Sequence, residues 1–403
     1  MSSNIVIASV ARTPIAKFCG SFASLTAPEL GSIAIKGALS KLPSDIIIRE
    51  AYMGNVVSAG IGQAPARQAV LGAGLPESTI CTTINKVCAS GMKSVMLAAQ
   101  TLQCSAASGN GAAATAAAAM LAGGMESMSN VPHYLSKSRS GTTLGHVTLL
   151  DGVIHDGLWD VYNNQHMGMC AEKCATDYGF SREDQDAYAQ ESYQRAQQAV
   201  TSGVFEEVVE VTIPQRRGGD PIVVSQDEEP HAVNMTKMPT LRPAFDKSGT
   251  VTAANASSLN DGAAALVLMT EQAALDMGIK PLARILGYGD AARSPVDFTT
   301  APSLAVPVAL EHAGVSLVDV DYHEINEAFA VVALANMKLL NLDPSTVNVF
   351  GGAVALGHPI GMSGARIIGT LYNVLKQKDA TIGCASICNG GGGASAIVIE
   401  RMN

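Results

Sequence analysis

Thr26-Ala27-Pro28-Glu29-Leu30 begins a helix-like apolar pattern, and Thr300-Ala301-Pro302-Ser303-Leu304 begins a second one much later in the chain. Three pairs of segments have the same spacing to within one residue and occur in the same order. They are this pair, Asp45 to Glu50 with Asp319 to Glu324, and Ser90-Gly91 with Ser363-Gly364. Together they predict a duplicated unit, although chance matches in a chain rich in Gly and Ala are the alternative.

The ends of the two units also match, because Asp261 to Leu268 resembles Gly392 to Ile399. These ends are much closer together than the beginnings, so the first unit must be interrupted between roughly residues 120 and 250. That region holds the only Trp, Trp159, and charged stretches such as Arg216-Arg217. The sequence therefore predicts a first core half (1–120), an inserted loop domain (121–249), the completion of the first half (250–274) and a second core half (275–403).

Within each half, short apolar runs alternate with helical patterns, which indicates an α/β fold. Ile5 to Val10 is typical of a buried strand, and Pro28 to Leu42 of a helix with Pro in its first turn. Asn85 to Val87 leads into a helix with Val95 and Met96 on one face. The alternation predicts a mostly parallel sheet covered on both faces, with ligand-binding loops at the carboxyl ends of the strands where the halves meet.

Composition narrows the class of protein. The 403 residues are enough for two or three domains, and a formal net charge of −9 argues against general binding to nucleic acid or an anionic membrane. The longest apolar candidate, Gly111 to Gly124, is shorter than the ~18–20 residues of a membrane span. We see no secretory, transit or peroxisomal signal and expect a cytoplasmic protein. The 8 Cys contain no C-x-x-C and predict reduced thiols rather than disulfides or zinc.

Two side chains are candidates for a nucleophile and its base. Cys88 lies at a strand-to-helix turn, where free N–H groups and the helix dipole favour a thiolate. A small buried Cys at a tight turn is the equal alternative. His358 lies in a Gly-rich loop before a helix, where we expect it to be exposed and able to serve as a base or as a donor to an oxyanion. A structural His is the commoner outcome for such a residue.

Two further side chains are weaker candidates. Cys388 precedes Asn389-Gly390-Gly391-Gly392-Gly393, a run that permits close backbone approach to a ligand, although it could also serve packing alone. Asn326 stands at the head of an apolar helix, where it could cap the helix, hold a water or bind a carbonyl. The cap is the commoner role.

Four segments together resemble the signature blocks of the thiolase superfamily: Asn85–Lys93, His323–Ala330, Gly351–Ala365 and Ile387–Ala394. The resemblance covers essentially the whole chain and implies a layered α-β-α-β-α fold. Val87–Lys93 and Gln165–Glu172 further resemble the short-chain, biosynthetic branch. That branch has acetyl-CoA C-acetyltransferase activity, a reversible condensation of two acetyl-CoA to acetoacetyl-CoA and CoA.

The resemblance also implies roles for individual residues. Cys88 resembles the nucleophile that carries the acyl group, and His358 the base that activates it. Cys388 resembles the acid/base that removes a proton from the second acetyl-CoA. Asn326 resembles the residue that fixes a water, which forms one oxyanion hole with His358, and the N–H groups of Cys88 and Gly390 resemble the second hole.

Ligand sites are implied in the same way. Residues at positions where the family binds CoA are Leu158, His166, Met167, Lys237, Ser257, Ala328 and Phe329. Arg242 and Lys247 could add positive charge for the phosphates. Some relatives bind potassium near the positions of Tyr193, Ala253, Ala254, Ala256 and Val354. No other cofactor is implied, and the family resemblance implies a dimer, often a tetramer formed through the segment near Met125–Leu150.

We expect the short-chain activity. The alternatives are a broad-range 3-ketoacyl-CoA thiolase, a non-catalytic CoA or lipid carrier on the same fold, and a Cys hydrolase. The presence of Cys88, His358 and Cys388 together argues against the carrier, and the second Cys would have no role in a hydrolase.

Overall fold

The computed structural model describes residues 4–107, 118–215 and 219–402. Part of the segment Gly111 to Gly124 and the pair Arg216-Arg217 lie outside the described residues. Within the described ranges, no helix combines the length and apolarity needed to cross a membrane.

The strands are β1 (Ile5–Arg12), β2 (Ala16–Lys17), β3 (Ile47–Gly54), β4 (Ile80–Ile84), β5 (Ala118–Ser127), β6 (His133–Leu135), β7 (Leu149–Asp151), β8 (Trp159–Asp160), β9 (Gln165–His166), β10 (Val211–Ile213), β11 (Ile222–Val224), β12 (Asn260–Thr270), β13 (Ala283–Ala292), β14 (Tyr322–Ile325), β15 (Ile382–Asn389) and β16 (Gly393–Arg401). The α-helices are α1 (Ala27–Leu39), α2 (Pro65–Gly72), α3 (Ser90–Ala107), α4 (Met167–Tyr178), α5 (Arg182–Ser202), α6 (Glu271–Asp276), α7 (Pro302–Ala313), α8 (Ala330–Leu340), α9 (Ala353–Leu356) and α10 (Ser363–Gln377).

The predicted strand β1 and the predicted helices α1 and α3 are all present. A capping box begins α1, because the Thr26 side chain accepts from the backbone N–H of Glu29 while the Glu29 carboxylate accepts from Thr26. Pro28 lies in the first turn, where its missing N–H is not needed. On α3, Val95 and Met96 are buried, as the apolar spacing predicts.

One large sheet has the strand order β14-β15-β16-β13-β1-β12-β5-β3-β4, with β2 beside β12. The first half contributes β1, β12, β5, β3 and β4, and the second contributes β13, β16, β15 and β14 in the corresponding order. The two half-sheets join where Ile5 to Ile7 of β1 pair with Ala283 to Ile285 of β13. The duplicated segments of the sequence therefore occupy equivalent places in the fold.

The prediction of a mostly parallel sheet is wrong. Parallel pairing is found for β3 with β4, β3 with β5, and β14 with β15, whereas the other ladders of this sheet are antiparallel. The reason is that each half ends in a strand, β12 or β16, that runs antiparallel to both of its neighbours. Strands β15 and β16 are joined by a tight turn, and such a connection requires antiparallel neighbours.

The elements form α-β-α-β-α layers. Helices α1 and α2 cover one half-sheet, α7 covers the other, and α3 and α10 pack together between them. Every residue of α10 from Ser363 to Leu375 is buried, as expected for a helix with a sheet on either side. This middle layer brings the N-termini of α3 and α10 together at the centre of the molecule.

Candidate active site

A cavity of about 400 Å³ lies at the N-termini of the two central helices. The carboxyl ends of β4, β14 and β15 deliver Cys88, Asn326 and Cys388 to this region, and the loop before α10 delivers His358. A space of this size is suited to a small-molecule ligand. Ten of the residues singled out in the sequence line it: Cys88, Leu158, His166, Met167, Ala253, Ala256, Ser257, Ala328, Phe329 and His358.

Cys88 sits in a tight backbone turn. Val87, directly before it, has φ of 49°, a conformation unusual for a β-branched residue. The Ser90 hydroxyl holds this turn, because it accepts from the Lys86 N–H (2.8 Å) and donates to the Val87 carbonyl (2.6 Å). The N–H groups of Gly390 and of Cys88 itself face the Cys88 sulfur. Two donors, one from each half of the chain, thus converge on the thiol.

The expected thiolate at this turn is not the resting form. The pKa of Cys88 is raised to about 11, because burial outweighs the N–H groups of Gly390 and Cys88, which lower it, and Glu126 also raises it. The helix N-terminus supplies donors, but an anion at this buried and largely apolar position loses more from desolvation than these donors restore. Cys88 therefore rests as a thiol.

His358 is buried and only 5% exposed, so the prediction of an exposed loop His is wrong. Its backbone N–H donates to Asn260 Oδ1 at 2.9 Å, which pins the glycine-rich loop against β12. Its Nδ1 lies 2.6 Å from Ser363 Oγ. The Ser363 hydroxyl donates to the Pro359 carbonyl at 3.0 Å, so it can accept from Nδ1–H and leave Nε2 unprotonated.

The imidazole of His358 rests neutral. Burial, and then the positive charge of Arg366, lower the pKa of His358 to about 3. A neutral ring with a free Nε2 is the form that can receive a proton from a neighbouring thiol.

Asn326 does not cap the following helix. Helix α8 begins at Ala330 after Phe329, and no side chain caps it. Instead Asn326 Nδ2 lies 3.4 Å from His358 Nε2, which makes it a neighbour of the imidazole. Asn326 Oδ1 is buried without a hydrogen-bond partner among the described residues.

Cys388 is not among the residues that line the cavity. It is fully buried and packs in one cluster with Met167, Ala328 and Phe329. Burial, and then the nearby Cys88, raise the pKa of Cys388 well above its ordinary value. Cys384 is also buried, in a separate apolar cluster, as expected for a core residue. The glycine turn after Cys388 places Gly390 N–H on the cavity side, beside Cys88.

The remaining singled-out residues lie around this centre. Lys237 is exposed in the segment that leads to the cavity wall, as are Arg242 and Lys247. Tyr193, Ala254 and Val354 are buried together in the large core cluster. In the described ranges, no group of three His, Cys, Asp or Glu side chains could hold a metal ion. Cys170 and Cys174 are buried in packing on α4.

Sequence reasoning missed several residues that shape the site. Phe245 lines the cavity, stacks on His166 with ring centroids 4.6 Å apart, and meets the edge of Phe329. Glu126 is fully buried and accepts from Asn55 Nδ2, the N–H groups of Val56 and Val57, and the Gly361 N–H. A carboxylate inside the otherwise apolar strand β5 was a usable signal for Glu126, whereas nothing in the sequence marks Phe245.

The chain matches two protein-family models, for the thiolase N-terminal domain over residues 5–272 and the thiolase C-terminal domain over residues 279–401. An acetyl-CoA acetyltransferase of Gibberella zeae named as cytosolic is 52% identical, covering 99% of this chain and 98% of the relative. An acetyl-CoA acetyltransferase of Xenopus tropicalis named as mitochondrial is 55% identical, covering 99% and 92%. The crystal structure of a thiolase from Ascaris suum in complex with coenzyme A is 45% identical, with a TM-score of 0.90 over 99% of this chain and 100% of that one.

Proposed function

The chain belongs to the thiolase family and is an acetyl-CoA acetyltransferase, and from that premise we propose that its reaction runs through an acetyl thioester on Cys88. The observation that supports this course is the convergence on one cavity of the Cys88 thiol, the His358 imidazole and the Gly390 N–H.

In the first half-reaction, His358 Nε2 takes the proton of Cys88 as the sulfur attacks the acetyl carbonyl. The carbonyl oxygen becomes an oxyanion, to which the N–H groups of Cys88 and Gly390 donate. When the carbon–sulfur bond to CoA breaks, Cys388 gives its proton to the CoA sulfur and CoA leaves as a thiol. Cys388 is then a thiolate, and His358 keeps the Cys88 proton on Nε2. Dividing the reaction at a covalent intermediate replaces one difficult step with two easier ones.

In the second half-reaction, the Cys388 thiolate takes an α-proton from a second acetyl-CoA and becomes a thiol again. The enolate oxygen receives hydrogen bonds from His358 Nε2–H and from a water held by Asn326. The enolate carbon then attacks the acetyl-Cys88 carbonyl. Collapse releases acetoacetyl-CoA, and His358 Nε2 returns its proton to the Cys88 sulfur. One such donor to an oxyanion contributes about 2.7–4 kcal/mol to stabilising the transition state.

CoA would occupy the open side of the cavity. Leu158, Met167, Ala328 and Phe329 offer apolar surface for the pantetheine arm, and Ser257 and His166 offer polar groups beside it. Exposed Lys237, with Arg242 and Lys247, supplies positive charge for the phosphates in a protein of net charge −9. The substrates and products are therefore acetyl-CoA, acetoacetyl-CoA and CoA.

The test separates the two cysteines. Cys388→Ala should still form acetyl-Cys88 at a reduced rate, whereas carbon–carbon bond formation should fall far more, by at least about 10²–10⁴-fold, the usual contribution of general acid–base catalysis. Radiolabelled acetyl trapping and acetoacetyl-CoA production are measured on the same samples. Cys384→Ala, another buried Cys of the same strand, is the matched control. Near-normal condensation by Cys388→Ala, or a label on Cys388, would contradict the assignment.

Potassium is a further proposal for the region beside the cavity. Tyr193 offers a hydroxyl and Ala253, Ala254, Ala256 and Val354 offer backbone carbonyls, and oxygen donors of this kind suit a hard cation. Glu229 and Glu327 act on Tyr193 electrostatically, so negative charge is close by. A bound ion would fix the loop that contributes Ala256 and Ser257 to the cavity. Thermal unfolding in potassium chloride against tetramethylammonium chloride tests the proposal.

The exposed apolar residues near Met125–Leu150 concern the oligomeric state. We propose a homotetramer, since Leu144 is 97% exposed and Val147 and Leu149 are also exposed in the segment near Met125–Leu150. A stable, active monomer in light scattering would contradict it.

We propose a cytoplasmic location, to be tested by fractionation because the names of relatives include both cytosolic and mitochondrial forms. We also propose that the domain boundaries lie at residues 120, 249 and 274. Strand β5 runs across the first of these boundaries.

A further inference from the structure

The turn that carries Cys88 contains a residue, Val87, in a disfavoured backbone conformation. A β-branched residue with φ of 49°, as at Val87, is disfavoured and persists only where surrounding contacts fix it. Ser90 supplies contacts from within the turn. The Val87 side chain also lies beside the glycine turn of the other half, since its Cγ1 is 3.5 Å from where a Cβ of Gly390 would be.

Lys86, one residue earlier, connects this turn to the second half of the chain. Its ammonium donates to the Asp290 carboxylate, to Ser395 Oγ (2.8 Å) and to the Ala394 carbonyl (3.2 Å). Ser395 Oγ in turn donates to Asp290 at 2.7 Å. All three lysine N–H groups are therefore used, and each acceptor belongs to β13 or β16.

The three acceptors lie beside Cys388 because of how β16 pairs with β13 and β15. Ala394 pairs directly with Cys388 across the β15–β16 hairpin, and Ser395 pairs with Ile387. Asp290 is the partner of Ser395 on the other side, in β13. Lys86 thus holds the hairpin that carries Cys388 and Gly390 at the level of Cys388 itself.

We propose that Lys86 is a positioning residue that sets the distance between the Cys88 N–H and the Gly390 N–H, by tying the Cys88 turn to the β15–β16 hairpin. The proposal rests on the function proposed above. The two N–H groups come from different halves of the chain, so no local hydrogen bond fixes their separation. Lys86 touches no substrate in this role and acts only through the backbone of the two loops.

The charges around Lys86 favour its ion pair with Asp290 and its hydrogen bonds to the β15–β16 hairpin. Burial lowers the pKa of Lys86, while hydrogen bonding to Asp290 raises it and Lys93 lowers it. Burial would raise the pKa of Asp290, but hydrogen bonds from Lys86, Lys93 and Ser395 bring it below its ordinary value. Asp290 is therefore a carboxylate, and each ammonium around it has a charged partner.

Lys93 provides a matched control. It also donates to Asp290, at 2.7 Å, but it stands on α3, and among the described residues it donates no hydrogen bond to Ala394 or Ser395. The side chains of Lys86 and Lys93 are each 24% exposed. Lys86→Met and Lys93→Met therefore remove the same charge from the same carboxylate at the same exposure.

The experiment measures thiolysis of acetoacetyl-CoA and the rate of Cys88 alkylation by iodoacetamide for both variants. We expect Lys86→Met to lower kcat about 10–100-fold, because misplacement of about 1 Å can cost that much. The KM for CoA should stay within twofold, and Cys88 alkylation at fixed pH should slow because its thiolate loses a donor. Lys93→Met should stay within twofold of wild type in every measurement.

Two further variants guard against a folding defect. Lys86→Gln keeps a donor for Ala394 or Ser395 and should recover part of the loss, whereas Ser395→Ala combined with Lys86→Met should add little to the single change. Equal effects of Lys86→Met and Lys93→Met, or a Lys86→Met defect confined to KM, would overturn the proposal. An inactive wild-type protein would instead overturn the proposed function, so the two failures are distinguishable.

Discussion

The N-termini of α3 and α10 occupy equivalent places in the two halves, but they perform different tasks. Both helices begin with Ser-Gly. Ser90 shapes the backbone before α3, so that an N–H group faces the Cys88 sulfur. Ser363 instead holds the ring of His358 by its Nδ1 atom. The duplicated helix start therefore orients a backbone N–H group in the first half and a side chain, the His358 ring, in the second.

The glycines that follow these serines explain why the two tasks meet. A Cβ on Gly91 would lie 2.7 Å from the Ala365 nitrogen, and a Cβ on Gly364 would strike the Met92 nitrogen. Each helix start therefore packs against the backbone just beyond the other helix's glycine. Small residues at the point of crossing bring a thiol and an imidazole from opposite halves into one cavity.

The largest expected effect is the pH dependence of Cys88 alkylation. It tests whether Cys88 and His358 are both neutral at rest. With the pKa of Cys88 at about 11 and that of His358 at about 3, both groups are neutral at pH 7. The thiolate fraction should then rise about tenfold per pH unit, or about a thousandfold from pH 7 to 10.

Mass spectrometry of the iodoacetamide-treated protein measures the rate at Cys88, with buried Cys384 as an unreactive internal control. A rate that is flat between pH 6 and 9 would instead indicate a thiolate–imidazolium pair, and the division of tasks described here would be wrong.

The contact between the helix starts can be tested with Gly91→Ala and Gly364→Ala. Each added methyl meets backbone that cannot move alone, so we expect about 1–3 kcal/mol of destabilisation from overpacking. Denaturant unfolding measures the change. Gly219→Ala, where the nearest atom to a Cβ is 3.7 Å away, is the control and should be neutral. Equal stability of the variants at positions 91 and 219 would show that the close approach is not needed.

Ser363→Ala sharpens the side-chain half of the comparison. The protonated His358 ring would lose one hydrogen bond, which costs about 1.5 kcal/mol, so acetyl-Cys88 formation should slow about tenfold. Ser94→Ala removes another buried helical hydroxyl, one that donates to the Ser90 carbonyl at 2.9 Å, and should leave the acylation rate near wild type. Single-turnover labelling with radiolabelled acetyl-CoA distinguishes the two variants.

Local signals allowed much of this molecule to be predicted. The period of apolar residues and the Pro position predicted β1, α1 and α3, and the duplicated segments predicted the two halves. Sheet direction was mispredicted because it depends on how β12 and β16 return to the sheet, which no local pattern records. The burial of His358 was missed for the same reason, since its loop is enclosed by Asn260 from β12.

The placement of β12 has a consequence for synthesis on the ribosome. This strand lies between β1 and β5, yet it is translated long after both of them. At ordinary translation rates the gap between Ser127 and Asn260 corresponds to on the order of ten seconds, during which β1 and β5 expose unpaired edges. A nascent chain that has not yet exposed Thr270 should accordingly depend on chaperones, and that dependence should end when Thr270 emerges.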